Sequence, residues 1–224
     1  MSPVPLPLSS VHLHYFPICG RAEPLRYFLA DANIPYTESN DVAAFREKKM
    51  DLEEYRFGQL PRLTINGTHL FQQGAMLRFL AKSQGYTGAG DLFQDALVDQ
   101  LQDACEDLNV AYVNKIYTPN ARELLVPFVK DYVPKVLAQF EHLFAKNQAS
   151  SGYLAYDKPS YAEFHLLYLL HALSYLNTLL LADYPTLESW VKLMKARPGL
   201  KAYFEGGQKH VMLNGSESGQ TPVV

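Results

Sequence analysis

The sequence predicts an α/β domain followed by an all-α domain. Strand and helix patterns alternate through the first third of the chain, a glycine-containing break follows at residues 85–90, and no strand pattern recurs after it. The length of 224 residues is enough for one large domain or two small ones. We therefore place an α/β domain at residues 1–84, a linker at 85–91 and a helical domain at 92–224.

The first strand and the first helix are predicted from a change of hydrophobic period. Residues 11–15 alternate between apolar side chains and histidines, which is typical of a strand. Pro17 and Gly20 end this pattern, and apolar residues then recur at helical spacing over residues 23–32. Pro24 suits the first turn of that helix, because proline lacks the N–H group that a first turn leaves unpaired.

A weak second strand and a β-hairpin complete the predicted sheet. Asn66-Gly67 lies between two alternating runs, which is the strongest short signal for a hairpin. Two strands separated by a helix are expected to be parallel, whereas hairpin strands are antiparallel. The elements are expected, in chain order, as a strand at 36–38, a charged loop or short helix at 45–56, hairpin strands at 62–65 and 68–71, and a helix at 75–83.

The second domain begins with two long amphipathic helices. Apolar residues recur at intervals of three and four over residues 97–116, and again over residues 125–143. Pro127 and Pro134 fall inside the second pattern, and a proline interrupts the hydrogen bonds of a helix interior. The sequence therefore predicts kinks or boundaries at these two prolines.

A third helix is predicted from its N-terminal capping signal. Ser160 and Glu163 precede an apolar run at the spacing of a capping box, in which each side chain pairs with an unpaired backbone N–H group. The remaining predicted elements are short helices at 185–196 and 200–204 and a polar, disordered tail from Asn214 onward.

Composition and charge exclude several classes of protein. The net charge of -3 and the isoelectric point near 6.2 speak against nucleic acid or an anionic membrane as a partner. Two cysteines, Cys19 and Cys105, are too few for a disulfide scaffold and indicate a reducing compartment. Residues 1–8 contain three prolines and no basic residue, unlike a signal peptide. The apolar run at 166–182 is shorter than the ~20 residues of a membrane span, so we expect a cytoplasmic protein with no membrane partner.

No metal or hydrolase motif is present in the sequence. The seven histidines form no pair four residues apart with a glutamate between them, and CxxC and G-x-S-x-G are absent. We therefore predict no metal site. The aromatic composition is uneven, with 15 tyrosines and a single tryptophan, Trp190, which raises the question of whether a tyrosine hydroxyl has a chemical role.

A set of polar residues is predicted to gather around the end of the first strand. Tyr15 ends that strand, and Arg21 lies at the N-terminus of the following helix, where the positive potential suits an anion. Pro61 enters the third strand and is a candidate for a cis peptide bond. Gln72 and Gln73 precede the next helix. Each feature alone is more often structural than functional.

Taken together, these features resemble the cytosolic glutathione transferases, most closely the Pi class and next the Sigma class. The resemblance covers residues 11–205 and implies a thioredoxin-like N-terminal domain followed by a helical domain, with reduced glutathione as co-substrate. The matching segments are 15–23 (YFPICGRAE), 58–61 (GQLP), 96–99 (ALVD), 106–108 (EDL), 116–118 (IYT), 196–198 (ARP) and 200–202 (LKA).

The resemblance implies roles for individual residues. Tyr15 would donate a hydrogen bond to the glutathione sulfur, and Arg21 would support this site electrostatically. Phe57 would insert between helices of a second subunit, which implies a homodimer. The implied glutathione-binding residues are Tyr15, Arg21, Lys49, Gln59, Leu60, Pro61, Gln72, Gln73 and Asp107, and the implied acceptor pocket consists of Phe16, Ile18, Val113 and Tyr117.

The chain also departs from the family pattern. Gln73 stands where the family has Ser or Thr against the γ-glutamyl carboxylate. The tryptophan that contacts the glycine end of glutathione has no counterpart, since Phe45 or Arg46 occupies its region, and the nearby lysine is either Lys48 or Lys49.

Three interpretations are open at this point. The leading hypothesis is an enzyme that conjugates glutathione to hydrophobic electrophiles. A second is a related binding or structural protein with little turnover, which the departures at Gln73 and the tryptophan favour. A third is an isomerase or a thiol-exchange enzyme of the same fold. For thiol exchange, Cys19 at a helix N-terminus is the candidate thiol.

Overall fold

A computed structural model describes residues 7–86, 91–147, 151–207, 210 and 212–224. A four-stranded mixed sheet with three helices is followed by a helical domain. The strands are β1 (Val11–His14), β2 (Thr37–Ser39), β3 (Arg62–Ile65) and β4 (Thr68–Phe71). The helices are α1 (Glu23–Asp31), α2 (Val42–Lys48), α3 (Gln73–Ser83), α4 (Leu92–Ile116), α5 (Ala121–Pro127), α6 (Val133–Asn147), α7 (Tyr161–Ser174), α8 (Pro185–Ala196) and α9 (Pro198–Ala202).

The sheet has the strand order β2-β1-β3-β4 and the predicted directions. β1 and β2 are parallel and are connected by α1, whereas β3 is antiparallel to both β1 and β4. Leu13 of β1 is paired with Leu63 of β3, and both side chains are fully buried. The Asn66-Gly67 turn joins β3 to β4 with positive φ at both residues, as a type I′ hairpin requires.

The prediction of the hairpin and of the parallel pair is therefore confirmed, and β1 places Tyr15 at its C-terminal edge. His14 on the same strand is also buried, although the alternation of residues 11–15 predicted it to point away from the core. Its ring nitrogens lie 3.0 Å from the Tyr55 hydroxyl and 3.0 Å from the Asp41 carbonyl oxygen. These polar partners explain how the strand tolerates a buried histidine.

The helical boundaries agree with the proline and capping signals. Pro127 ends α5, a π-helical turn spans Phe128–Tyr132, and Pro134 lies in the first turn of α6. At the start of α7, the Glu163 carboxylate accepts the Ser160 N–H at 2.7 Å, which is the carboxylate half of the predicted capping box. Glu163 also accepts the Trp190 indole N–H at 2.9 Å and so connects α7 to α8.

The two domains share one hydrophobic core in which α1 packs against α7 and α9. The apolar run at 166–182 begins in α7, where most of its side chains are buried within the protein. At the same interface Arg197 forms a bidentate pair with Asp31. Gly199 lies so close to α1 that a Cβ atom there would come within 2.2 Å of the Ala30 carbonyl oxygen.

The C-terminal tail is ordered, which contradicts the expectation of disorder from Asn214 onward. Asn214 is 2% exposed and donates to the Tyr112 hydroxyl at 2.8 Å, while that hydroxyl donates to the Gly219 carbonyl oxygen at 2.9 Å. A polar segment is ordered here because the buried Tyr112 of α4 pairs with it through its hydroxyl. Of the predicted linker, residues 87–90 lie outside the described residues.

Candidate active site

Two adjoining cavities open beside the C-terminal edge of β1. The first, of about 480 Å³, is lined by polar side chains together with Leu60, Pro61 and three phenylalanines, and the second, of about 280 Å³, is lined mainly by apolar and aromatic side chains from several elements. Phe16, Arg21 and Leu60 line both. A polar and an apolar compartment that meet at a shared edge suit a reaction between a polar and an apolar substrate.

Tyr15 lines the apolar cavity next to Phe16, which lines both cavities, and its hydroxyl is oriented by the backbone. The Arg21 N–H donates to the Tyr15 hydroxyl oxygen at 2.9 Å. That contact uses the oxygen as an acceptor, so the hydroxyl proton is available to another group. Burial raises the pKa of Tyr15 to about 12, and the hydroxyl therefore keeps its proton at neutral pH.

Gly20 permits the close approach of Tyr15 to the helix N-terminus. Its φ is +45°, and a Cβ atom at this position would lie 2.5 Å from the Tyr15 hydroxyl oxygen. Glycine is therefore required both for the backbone conformation and for the position of the hydroxyl.

Arg21 is fixed by a residue of the helical domain. Its Nη1 atom lies 2.7 Å and 2.9 Å from the two carboxylate oxygens of Glu106 on α4. Both side chains are about one-third exposed, so solvent screens this pair and its main effect is to orient the guanidinium. Glu106 also lines the polar cavity, although the sequence analysis did not select it as a site residue.

The segment Leu60-Pro61 contains the cis peptide bond that the sequence predicted. Leu60 lines both cavities. The amide nitrogen of Gln72 donates to the amide oxygen of the neighbouring Gln59 at 3.4 Å. Gln72 has a positive φ of 66° and immediately precedes α3. The loop before β3 and the start of α3 therefore form one wall of the polar cavity.

Gln73 differs from its neighbour because its amide is buried. The side chain is 4% exposed and lines the polar cavity, yet neither its amide nitrogen nor its amide oxygen has a hydrogen-bond partner among the residues that the structure describes. An unpaired buried amide costs on the order of 1–3 kcal/mol, so a polar ligand in this cavity would recover that free energy.

All four predicted acceptor-pocket residues line the apolar cavity. Phe16 and Ile18 come from the loop after β1, Val113 comes from α4, and Tyr117 immediately follows α4. The sequence analysis missed further lining residues, of which Asn214 belongs to the tail that was expected to be disordered. The missed residues are Asn109, Tyr112, Ile116, Tyr168 and Asn214.

Three predicted residues lie outside both cavities. Lys49 follows α2, Asp107 lies on α4, and Phe57 precedes the cis-proline loop; all three are exposed. Cys19, the candidate thiol of the exchange hypothesis, is fully buried and its Sγ donates to the His210 carbonyl oxygen at 3.1 Å. A buried thiol in this contact is a structural residue.

Comparison with known proteins decides the family. A glutathione S-transferase 2 from Onchocerca volvulus is 34% identical over 196 residues, which cover 88% of this chain and 92% of that protein. The chain belongs to the glutathione S-transferase family. The family model for the glutathione S-transferase C-terminal domain also matches residues 106–207.

Solved structures of the glutathione S-transferase fold superpose on this chain. The Pi-class enzyme of Onchocerca volvulus gives a TM-score of 0.82 at 32% identity, over 92% of this chain and 98% of that one. This agrees with the Pi-class resemblance and with a thioredoxin-like domain followed by a helical one. Prostaglandin synthase D of Nilaparvata lugens gives 0.73 at 22% identity, over 88% of this chain and 98% of that one, and this likeness is one of fold.

Glutathione is the co-substrate of this family, and the polar cavity contains six of the residues that the resemblance implied for it. They are Arg21, Gln59, Leu60, Pro61, Gln72 and Gln73. Within the described ranges, no group of three or more His, Cys, Asp or Glu side chains could hold a metal ion. No helix in this part of the chain is long and apolar enough to cross a membrane.

Acid should destabilise the protein through a buried histidine near the site. Burial, and secondarily the charge of Arg21, lowers the pKa of His165 to about 3, whereas an unfolded histidine titrates near 6.5. The unfolded state therefore binds more protons between these values, so stability is lost as the pH falls below 6.5. We expect this histidine to contribute a loss of about 2 kcal/mol in unfolding free energy between pH 7 and pH 5, measured by urea denaturation.

The variant His165→Asn should show a smaller loss of stability over this pH interval than the wild type. His69→Asn on the edge strand β4 provides the matched control and should lose as much as the wild type. An equal pH dependence for His165→Asn and the wild type would show that His165 does not cause the effect.

Proposed function

We propose that this chain conjugates reduced glutathione to hydrophobic electrophiles through a thiolate that Tyr15 stabilises. The observation that carries the proposal is the Arg21 N–H bond to the Tyr15 hydroxyl oxygen, which leaves the hydroxyl proton for the glutathione sulfur. A hydrogen bond to a charged group contributes roughly 1.5–3 kcal/mol. Since one pKa unit corresponds to about 1.4 kcal/mol, this bond would lower the thiol pKa by about one to two units.

The polar cavity is the proposed site of the glutathione peptide. Leu60 presents its backbone beside the cis bond, and Gln72 and Gln73 stand at the start of α3, where the helix dipole favours a carboxylate. The buried amide of Gln73 would pair with the γ-glutamyl group. Gln73 would thereby provide a donor where the family has a hydroxyl.

The apolar cavity is the proposed site of the acceptor. It adjoins the polar cavity at Phe16, Arg21 and Leu60, so a bound electrophile and the glutathione sulfur would be held side by side. Bringing two reactants into contact in this way removes much of the entropy cost of their encounter. The apolar lining selects hydrophobic acceptors.

Glutathione binding and turnover test this proposal separately. We expect the protein to bind to immobilised glutathione and to convert 1-chloro-2,4-dinitrobenzene to its glutathione conjugate. Retention on the resin without conjugation would favour the binding protein of the second hypothesis. A protein that is neither retained on the resin nor active in conjugation would show that the cavities serve another function.

We further propose a homodimer in which Phe57 inserts into a groove of the second subunit. Phe57 is 54% exposed and is flanked by the exposed apolar residues Met50 and Leu52. A groove of about 600 Å³ between α4 and α6, lined by Leu101 and Phe140 among others, has the apolar character to receive it. An apolar protrusion and an apolar groove on one chain are typical of a symmetric interface.

The dimer also gives roles to the two polar residues outside the cavities. Asp107 is exposed on α4, near Leu101 and Ala104 of the groove, and would reach the γ-glutamyl ammonium bound in the other subunit. Lys49 would approach the glycine end of glutathione from the segment after α2. We place the dimer in the cytoplasm, since two cysteines with buried thiols suit a reducing compartment.

Replacement of Phe57 by alanine should shift the protein toward the monomer. Removal of a buried phenylalanine side chain costs about 3–5 kcal/mol, which corresponds to a dissociation constant at least about a hundredfold higher. Sedimentation equilibrium measures this shift. Phe93→Ala, at a residue that is 91% exposed, serves as the control. A Phe57→Ala protein that stays dimeric to the same dilution as the wild type would contradict the proposed key.

A further inference from the structure

Three buried polar side chains lie beside the first turn of α3. Gln73 on α3, Gln102 on α4 and His165 on α7 are 4%, 3% and 0% exposed. Besides the two amide atoms of Gln73, the Gln102 amide oxygen and the His165 Nε2 atom also have no hydrogen-bond partner in the described part of the chain. Buried polar atoms are normally paired, so this concentration in one place needs a cause.

Gln102 and His165 form a hydrogen-bonded pair that fixes the direction of the Gln102 amide. The Gln102 amide nitrogen lies 3.0 Å from His165 Nδ1 and donates to it. His165 is neutral at physiological pH because burial lowers its pKa, so Nδ1 can act as the acceptor while Nε2 carries the proton. The amide oxygen of Gln102 is consequently left as a buried acceptor without a donor.

Gly74 brings the Gln102 side chain close to the first turn of α3. A Cβ atom at Gly74 would lie 3.2 Å from the Gln102 amide nitrogen, closer than most real Cβ contacts. The Gln102 side chain therefore packs against the residue next to Gln73, and Gly74 provides the space. One turn further along α4, Glu106 lines the polar cavity together with Gln73.

From the contact of the Gln102 side chain with Gly74 and from the unpaired amide atoms of Gln102 and Gln73, we propose that Gln102, held by His165, is a positioning residue that orients the Gln73 amide toward bound glutathione. The inference rests on the proposed function. In the glutathione complex one N–H of Gln73 donates to the Gln102 amide oxygen, and the other donates to the γ-glutamyl carboxylate. Gln73 contacts the substrate, whereas Gln102 and His165 act through it.

The test compares glutathione affinity with the rate of the chemical step. Gln102→Met removes the polar atoms at similar volume, and we expect it to raise the Kd and the KM for glutathione about fivefold while kcat changes less than twofold. Gln73→Met should raise them at least as much. In the double variant the two increases in Kd should not multiply, because Gln102 affects glutathione binding only through Gln73.

Gln94→Met, at an exposed position of α4, is the matched control and should leave the Kd unchanged. Thermal melting of each variant shows whether it is folded. Gly74→Ala, which retains every polar atom but displaces the Gln102 amide, is the second probe, and we expect it to raise the Kd in the same direction. An unchanged Kd in Gln102→Met or in Gly74→Ala, or effects of Gln73→Met and Gln102→Met that multiply, would overturn the proposal.

Calorimetric titration with glutathione separates this inference from the function on which it rests. A wild-type protein that does not bind glutathione overturns both the proposed function and this inference. A wild type that binds, together with a Gln102→Met variant that binds equally well, overturns only the role of Gln102.

Discussion

Replacement of Tyr15 by phenylalanine is expected to lower kcat for conjugation about tenfold to a hundredfold. The range corresponds to the roughly 1.5–3 kcal/mol of a hydrogen bond from the hydroxyl to a thiolate. Glutathione affinity should change little, since the peptide is held by the polar cavity. The fold should also persist, because the phenylalanine ring keeps the edge-to-face contact with Phe16, whose centroid lies 5.3 Å from that of Tyr15.

Two measurements check this expectation. The kcat is measured at saturating glutathione, and the pKa of the bound thiol is read from the ultraviolet absorbance of the thiolate as the pH is varied. The thiol pKa should rise by about one to two units in Tyr15→Phe, in proportion to the loss of rate. A variant with unchanged turnover and an unchanged thiol pKa would remove Tyr15 from the mechanism.

Replacement of Gly20 by alanine should damage both stability and activity. The residue has a φ of +45°, which costs an L-residue about 1–2 kcal/mol. Its Cβ atom would also lie 2.5 Å from the Tyr15 hydroxyl oxygen and 2.9 Å from Cε1 of the ring, so the ring must move. We expect at least a tenfold loss in kcat/KM, because the displaced hydroxyl no longer meets the sulfur.

Gly67→Ala separates the two effects of the Gly20 substitution. Gly67 has a φ of +84°, and a Cβ atom there would meet nothing within 4 Å. It therefore has the backbone penalty without the contact to Tyr15. Urea denaturation should show a loss of stability in both variants, and enzyme assays should show a loss of rate only in Gly20→Ala. Full activity in Gly20→Ala would mean that the position of the Tyr15 hydroxyl does not depend on this glycine.

Local sequence signals were sufficient for most of the fold and for part of the site. Some signals depend only on neighbouring residues and can be recognised in the sequence alone. They are the alternation of β1, the Asn66-Gly67 turn and the prolines at 127 and 134. The same holds for the cis bond before Pro61, which a proline at a strand entry suggests. The acceptor-pocket residues came from the family resemblance.

The partners of the site residues could not be predicted, because packing between distant segments determines them. Glu106 binds Arg21 from 85 positions away, and nothing around either residue indicates the pair. The burial of Gln73 likewise follows from packing that the local sequence does not reveal. The order of the tail could not be predicted from its polar sequence either, because the hydrogen-bond partner of Asn214 is Tyr112 on the distant helix α4.

The first loop of the site is held by almost the last residues of the chain. The Cys19 N–H donates to the Met212 carbonyl oxygen at 2.9 Å, and the Gly20 N–H donates to the Leu213 carbonyl oxygen at 2.9 Å. During synthesis the N-terminal domain emerges first and folds early. The segment that holds Tyr15 in place nevertheless acquires these two bonds only after Met212 and Leu213 have been synthesised, so the nascent chain can build its sheet well before it possesses a finished catalytic loop.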